Sequence, residues 1–365
     1  MKKILVFSNY LPNEGWGGGV IIRSLISNHK EDINFFWVSL NSKEEEIIHN
    51  INVLNFKIKY FRGRGKFSFI RLLETKLFSH NLKRLIFNYK IDKLWIILGT
   101  SYQDLYKINS ISKGIAIPIH ISIHDDPIIE IELSKQKKAK YFFSQILKNA
   151  STIDVISSRM KEYYKKEYNV DSVVITRCID ENFPLNEELE IGTLNIVMGG
   201  FGNASSPWPI PLMKSIDLLN EKNKTNLHLF DNKLKNYTNE NIFVYDLMSE
   251  EEYNRFLKKI NIGYACDDLL KTDFSQFSLP TKIITYIGAG IPFVYHGPTN
   301  STVGDLILKI EMGIIVDSNS ANELFNAFYK IYNNYNFYRD NCLLARKTIF
   351  SKKEIQSLFY RHILN

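Results

Sequence analysis

The stretch FSLPTKIITYIGAGIPFVYHG, Phe277–Gly297, decides how this chain is read. Its first half is apolar at helical spacing, its middle is Gly288-Ala289-Gly290, and its end is a short apolar run. The pattern predicts a helix, a tight turn and a buried strand. Proline in the first helical turn lacks only an amide hydrogen that would go unpaired anyway, so Ser278-Leu279-Pro280-Thr281-Lys282 makes a competent helix start. The free amides there, the hydroxyls of Ser278 and Thr281 and the charge of Lys282 together suit a phosphate or diphosphate. A plain capped helix with Lys282 in solvent explains the same residues. Gly288 and Gly290 suit a left-handed C-terminal turn and close packing.

On both sides of this stretch strand and helix signals alternate, as in parallel sheets with crossover helices. In the N-terminal half, strands are expected at KKILVFSNY, INFFWVSL, NVLNFKIKYF, KLWIILG, IAIPIHISIHD and STIDVIS, with helices at 67–90, 101–112, 134–149 and 158–168. A polar segment, VVITRCIDENFPLNEELEIGTLN, reads as a linker. The pattern then restarts at LNIVMGGFGN, which repeats the strand-then-glycine arrangement of the N-terminus. The expected architecture is α/β, two Rossmann-like lobes facing a central cleft. Residues 1–180 are expected to form the first lobe, 190–345 the second, and 346–365 a C-terminal helix that packs back on the first lobe. A ligand would lie at the carboxyl ends of the strands.

The chain has 365 residues, 45% of them hydrophobic, with no apolar run of spanning length and no signal-peptide start, so a cytoplasmic protein is expected. Cys178, Cys266 and Cys342 are too scattered for a disulfide framework or a zinc spacing. The formal net charge is +7, and between Lys57 and Lys90 ten basic residues face the single acid Glu74. Phe and Leu residues are interleaved with those charges, so Arg62, Arg64, Lys66 and Arg71 are candidates for an anionic membrane surface. An ordinary domain helix with solvated charges is the competing reading. No nucleic-acid motif accompanies the charge, so no nucleic-acid partner is expected.

The stretch SLPTKIITYIGAGIPFVYHG, followed by VGDLILKIEMGIIVD, resembles the nucleotide-sugar lobe of retaining GT-B glycosyltransferases of the bacterial group 1, family 4-like kind. Their usual form is Pro-x-Lys-x-x-Glu-Tyr-x-Ala-x-Gly-x-Pro and then a Gly-Ile-x-Val-Asp strand. SNYLPNEGWGGGV is similar to that fold's N-terminal glycine loop, SIHDD to its His-Asp corner, and ASTIDVISSRMKEYYKKEYN to its last N-lobe strand and helix. The resemblance implies a donor diphosphate held by Ser278, Pro280, Thr281 and Lys282, with Gly18, Gly19, Gly200, Gly202 and Thr285 in the donor site. It places His124 near the donor sugar and Asp125 on the acceptor side, both as catalytic residues. Family members commonly carry two glutamates eight positions apart, where this chain has Phe277 and Thr285. The glycine loop GGFGNASS also lacks the Arg and nearby Lys that often clamp the diphosphate.

On their own residues these positions have plainer readings. Asp125-Asp126-Pro127 is a common turn sequence, and two adjacent carboxylates without a third nearby ligand make a weak metal signal. Gly17, Gly18 and Gly19 could be a bland loop, with Trp16 beside them available to stack on an acceptor ring. His120, His228 and His296 lie in apolar strands and suit core or surface roles. The expected function is transfer of a sugar from a nucleotide-diphosphate sugar to a glycan or lipid-linked acceptor in bacterial surface polysaccharide biosynthesis. The nucleotide sugar is a co-substrate, and no cofactor or metal is expected. The protein is expected in the cytoplasm, peripheral on the inner face of the membrane. A non-catalytic glycan-binding or scaffolding protein of the same fold, and a sugar-nucleotide epimerase, are the alternatives.

Overall fold

Strands buried on both faces read as unbroken apolar runs, and the computed structural model arranges such runs into two parallel sheets. It describes residues 1–9, 17–27, 33–39, 51–53, 68–186, 192–200, 209–230, 232–246, 248–270 and 272–364. The first sheet contains β1 (Lys2–Ser8), β2 (Ile33–Ser39), β3 (Asn52–Val53), β4 (Lys93–Ile97), β5 (Ile119–Ile123), β6 (Thr152–Val155) and β7 (Val173–Val174). The second contains β8 (Thr193–Met198), β9 (Lys224–Leu229), β10 (Ile242–Val244), β11 (Ile262–Cys266), β12 (Phe293–His296) and β13 (Gly313–Val316). Their orders are β3-β2-β1-β4-β5-β6-β7 and β10-β9-β8-β11-β12-β13. Both orders reverse, at β1/β4 and at β8/β11, and such a switch point opens a crevice at the carboxyl ends of the strands.

The crossovers of the first half are helices α1 (Gly17–Ile26), α2 (Ser68–Tyr89), α3 (Tyr102–Ser112), α4 (Leu133–Asn149) and α5 (Ser158–Tyr168). The second half has α6 (Pro209–Asn220), α7 (Glu250–Leu257), α8 (Thr272–Phe277), α9 (Thr281–Ala289), α10 (Thr302–Ile310), α11 (Ala321–Asn333), α12 (Tyr335–Thr348) and α13 (Lys352–Leu364). The chain divides into two compact units. One comprises Met1–Asn13, Ile26–Ile175 and Ser357–Asn365; the other comprises Glu14–Leu25 and Thr176–Gln356. Helix α1 thus groups with the second unit through Gly17–Leu25, and hydrogen bonds explain why. Cys178 N donates to Ser24 Oγ, and Gln356 Nε2 donates to the carbonyls of Ser24 and Leu25.

In the first unit the sheet carries a polar layer. His120, Ser122 and Asp154 are fully buried on β5 and β6. Ser122 Oγ donates to Asp154 Oδ2 at 2.6 Å, Trp95 Nε1 donates to Ser122 Oγ at 2.7 Å, and His120 Nε2 lies 2.6 Å from Asp154 Oδ2. Buried polar groups persist where they pair in this way. The last turns of α13 cover the layer, with the Phe359 ring tilted against that of Trp95 at 5.0 Å and His362 Nε2 hydrogen-bonded at 3.0 Å to Ile153 O. In the second unit the matching layer is apolar, with Leu194, Ile196, Tyr264, Val294 and Phe328 at its centre.

Three sequence expectations change here. The glycines at 17–19 are the first turn of α1 and not a loop; first-turn amides need no intrahelical partner, so glycine costs less there. The segment read as a featureless linker contributes β7. The helix at 68–89 does not gather its apolar residues on one face. Phe78 and Leu82 are buried, with Phe78 against Phe7, while Leu77 and Phe87 are exposed. Such scattered apolar groups do not make the continuous face an interfacial helix needs. No helix among the described residues is long and apolar enough to cross a membrane.

Candidate functional site

Helix α9 starts without a side-chain cap and without an acid in its first turn. Pro280 stands at the N-cap, one residue before the helix, so it directs the chain into the helix from outside the first turn where the sequence placed it. At the other end Gly290 adopts φ +72°, the left-handed C-terminal turn. A side chain on Gly288 would press on Ile179 and Phe183. Buried Arg346 of α12 donates to Gly288 O at 2.7 Å and to the carbonyls of Asp180, Glu181 and Phe183. A cation at a helix C-terminus is favourable with the dipole, so the far end of α9 is fixed while its start is open.

A cavity of about 230 Å³ lies in the second unit at that start. It is lined by Gly17 of α1, Gly199 and Gly200 after β8, and Thr281, Lys282 and Thr285 of α9, with Arg23, Arg177, Glu250 and Tyr253 among the remaining groups. Two helix N-termini therefore border it, since Gly17 opens α1 next to Thr281. Gly200 has φ +73°, which favours glycine. Gly199 N donates to Tyr286 Oη at 2.9 Å, and a side chain at Gly199 would collide with Tyr253.

Lys282 Nζ donates to Gly200 O at 2.9 Å. Burial pulls its ammonium below the usual range, with Cys266 and Asp267 opposing the shift. Arg177 is 7% exposed, and its Nη1 donates to Thr281 O and to Thr285 Oγ1. Burial brings its guanidinium down to about 10, so it is charged at neutral pH. Arg23 pairs with Glu250 on the first turn of α7. The cavity can thus hold an anion by helix amides, by Lys282 and by Arg177.

The predicted donor residues divide. Gly200, Thr281, Lys282 and Thr285 meet at the cavity, and Pro280 caps its helix. Ser278 is buried, its amide bonded to Phe274 O, and it does not line the cavity; nor do Gly18 and Gly19, which continue α1 beyond Gly17. Trp16, Gly202, Arg62, Arg64 and Lys66 lie outside the described residues, and Arg71 lies on α2 with its side chain outside them. Sequence reasoning missed Tyr286, although Tyr stands in the pattern quoted above, and it missed Arg177, which no local signal marks.

In the first unit His124 and Asp125 directly follow β5. Burial lowers His124 below the usual imidazole range, with Asp154 opposing, so it is neutral at pH 7. Burial first, then Glu130 and Asp126, raise Asp125 to about 6. Asp126 is the turn residue of the pair, accepting from Ile128 N at 2.8 Å and from Tyr164 Oη at 3.0 Å. His120, His228 and His296 are buried. Among the described residues no group of three or more His, Cys, Asp or Glu side chains could hold a metal ion.

No protein-family model matches the sequence, and no curated protein is similar to it in sequence. Solved structures are similar in fold. A sucrose-phosphate synthase from Thermosynechococcus elongatus matches with a TM-score of 0.71 at 12% identity, over 100% of this chain and 99% of that one. HepE of Anabaena, in complex with UDP and glucose, matches with 0.66 at 11% identity, over 99% of each chain. A protein provisionally described as a UDP-N-acetylglucosamine 2-epimerase, from Listeria monocytogenes, matches with 0.61 at 9% identity, over 98% and 95%. The chain has the GT-B fold, and its structural neighbours include GT-B glycosyltransferases.

Proposed function

We propose that the protein is a glycosyltransferase that moves a sugar from a nucleotide-diphosphate sugar to a glycan or lipid-linked acceptor. The observation that carries the reading is the cavity at the uncapped start of α9, with Lys282, Gly200 and two helix N-termini around it. In the reaction these groups neutralise charge developing on the leaving diphosphate, where one well-placed donor is worth about 3–4 kcal/mol of barrier. His124, neutral at pH 7, acts as a hydrogen-bonding partner of the donor sugar, and Asp125 shapes the acceptor side. Transfer with retention needs no carboxylate pair when the leaving phosphate takes the acceptor's proton. Thr285, where the family pattern has glutamate, agrees with such a path. The GT-B neighbours, one of them bound to UDP and glucose, favour this reading.

The setting proposed is bacterial surface polysaccharide biosynthesis in the cytoplasm. The excess of basic residues between Lys57 and Lys90 supports encounter with an anionic membrane surface, on charge alone. The epimerase alternative draws on the similarity to the Listeria protein, which is one of fold. A calorimetric screen of nucleoside-diphosphate sugars, followed by product analysis, tests the proposal. A glycosylated acceptor supports transfer, an epimerised sugar nucleotide supports the alternative, and absence of binding to every sugar nucleotide removes both. Lys282→Ala should weaken binding of the ligand found by about 1.5–3 kcal/mol, the range for a hydrogen bond to a charged group. Unchanged affinity would take Lys282 out of the site.

A further inference from the structure

One cation of the cavity has no assigned task. Arg177 is buried among neutral partners. Its two hydrogen bonds, both from Nη1, go to a carbonyl and a hydroxyl, and the ring of Phe183 lies 6.0 Å from its guanidinium carbon. Nε and Nη2 make no hydrogen bond with a described residue. Glu250, the carboxylate that lines the cavity, is held by Arg23 and reaches Arg177 only through space. A buried guanidinium without a paired carboxylate is costly, so its retention calls for a counter-charge brought by a ligand.

Thr285 sharpens the point. A glutamate at that position, as in the pattern this stretch resembles, would meet Arg177 as a salt bridge and cancel its charge. Threonine accepts the same hydrogen bond and leaves the charge uncancelled. We infer that Arg177 contacts the ligand directly, and that the ligand group is a diphosphate clamped by Arg177 together with Lys282 at the first turn of α9. The inference rests on the nucleotide-sugar reading of the cavity. Two cations from separate segments line the cavity, which suits the two charged groups of a diphosphate.

The test is calorimetric titration of inorganic phosphate, inorganic diphosphate and the nucleoside diphosphates UDP, GDP and ADP into the parent and into Arg177→Gln, Arg177→Lys, Thr285→Glu and Lys282→Ala. The parent should bind diphosphate at least tenfold more tightly than phosphate. Arg177→Gln should lose about tenfold or more for diphosphate and for the nucleoside diphosphate that binds best, and the diphosphate preference should shrink. Arg177→Lys should recover part of it. Thr285→Glu, which keeps the arginine but pairs it, should lose binding as Arg177→Gln does. An arginine that only ties its segment to α9 would lower the melting temperature in Arg177→Gln and leave the diphosphate preference unchanged, which overturns the inference. Should Arg177→Gln fail to fold, the lysine and glutamate variants decide, and unchanged diphosphate binding in Thr285→Glu overturns it. Loss of nucleotide binding in Lys282→Ala but not in Arg177→Gln leaves the cavity's reading standing and ends this one. A parent that binds none of the probes ends both.

Discussion

At the switch point of the first sheet the chain spends its polar groups on itself. Asn9 Nδ2 after β1 donates to Asp104 Oδ2 at 2.9 Å, Ser101 Oγ donates to the same carboxylate, and a side chain on Gly99 would collide with Asn9. At the corresponding point of the second sheet Gly199 and Gly200 follow β8, and the space beside them holds Lys282 and Arg177, two cations whose hydrogen-bond partners among the described residues are uncharged. The layers behind the strands differ in the opposite sense, polar and mutually bonded in the first unit and apolar in the second. One strand order thus supports two electrostatic outcomes. Topology places a crevice, and side chains decide whether it is filled from within or left charged for a ligand.

The comparison breaks first at Arg346. If the second unit keeps an open cavity because α9 is anchored at its other end, Arg346→Ala should cost about 3–5 kcal/mol in urea-induced unfolding. The carbonyls of Gly288, Asp180, Glu181 and Phe183 would be stranded together, and each buried acceptor left unpaired costs about 1–3 kcal/mol. A loss under about 1 kcal/mol would mean the anchor is elsewhere.

Asp125 sharpens the contrast from the first unit's side. Its folded value, about 6, lies above the ordinary carboxylate value, so the folded state binds the proton more tightly. Stability should fall as pH rises from about 4 to about 6 and stay reduced above that. Asp125→Asn removes the penalty. It should raise stability by about 2–3 kcal/mol at pH 7.5 and change it little at pH 4. Equal effects at both values would place the carboxylate in solvent.

The smallest effect is expected at His124. With its imidazole neutral, His124→Ala should lower turnover about tenfold, equivalent to about 1.4 kcal/mol of transition-state contact, with little change in thermal stability. Unchanged turnover, or an unfolded variant, would make this strand end a structural one like its neighbour Asp126.

Much of the second unit was legible locally. The segment from Pro280 to Pro292 names its own helix start, its left-handed glycine and its strand, because proline geometry, glycine geometry and apolar runs act within a few residues. Helix α7 carried an equally local signal that went unread: Ser249 and Glu252 form a reciprocal capping box. Helix α2 misled because basic residues interleaved with Phe and Leu satisfy composition without satisfying the 3.6-residue period. The lining of the cavity was only partly legible, since Ser278 shares the helix start with Thr281 yet is buried and does not line it.

By itself the sequence determined what depends on near neighbours: the alternation of strands and helices, the strand that ends on Gly199 and Gly200, the helix start near Pro280 and the charge of its first turn. Only the tertiary structure decided what depends on residues far apart in the chain. It brought Arg177 onto Thr281 and Thr285 across more than a hundred positions, set Tyr286 under Gly199, and grouped α1 with the second unit. An arginine in a polar segment has the same local character whether it ends in water or in a cavity. Its electrostatic meaning comes from the dielectric and the partners around it, and those are properties of the folded chain.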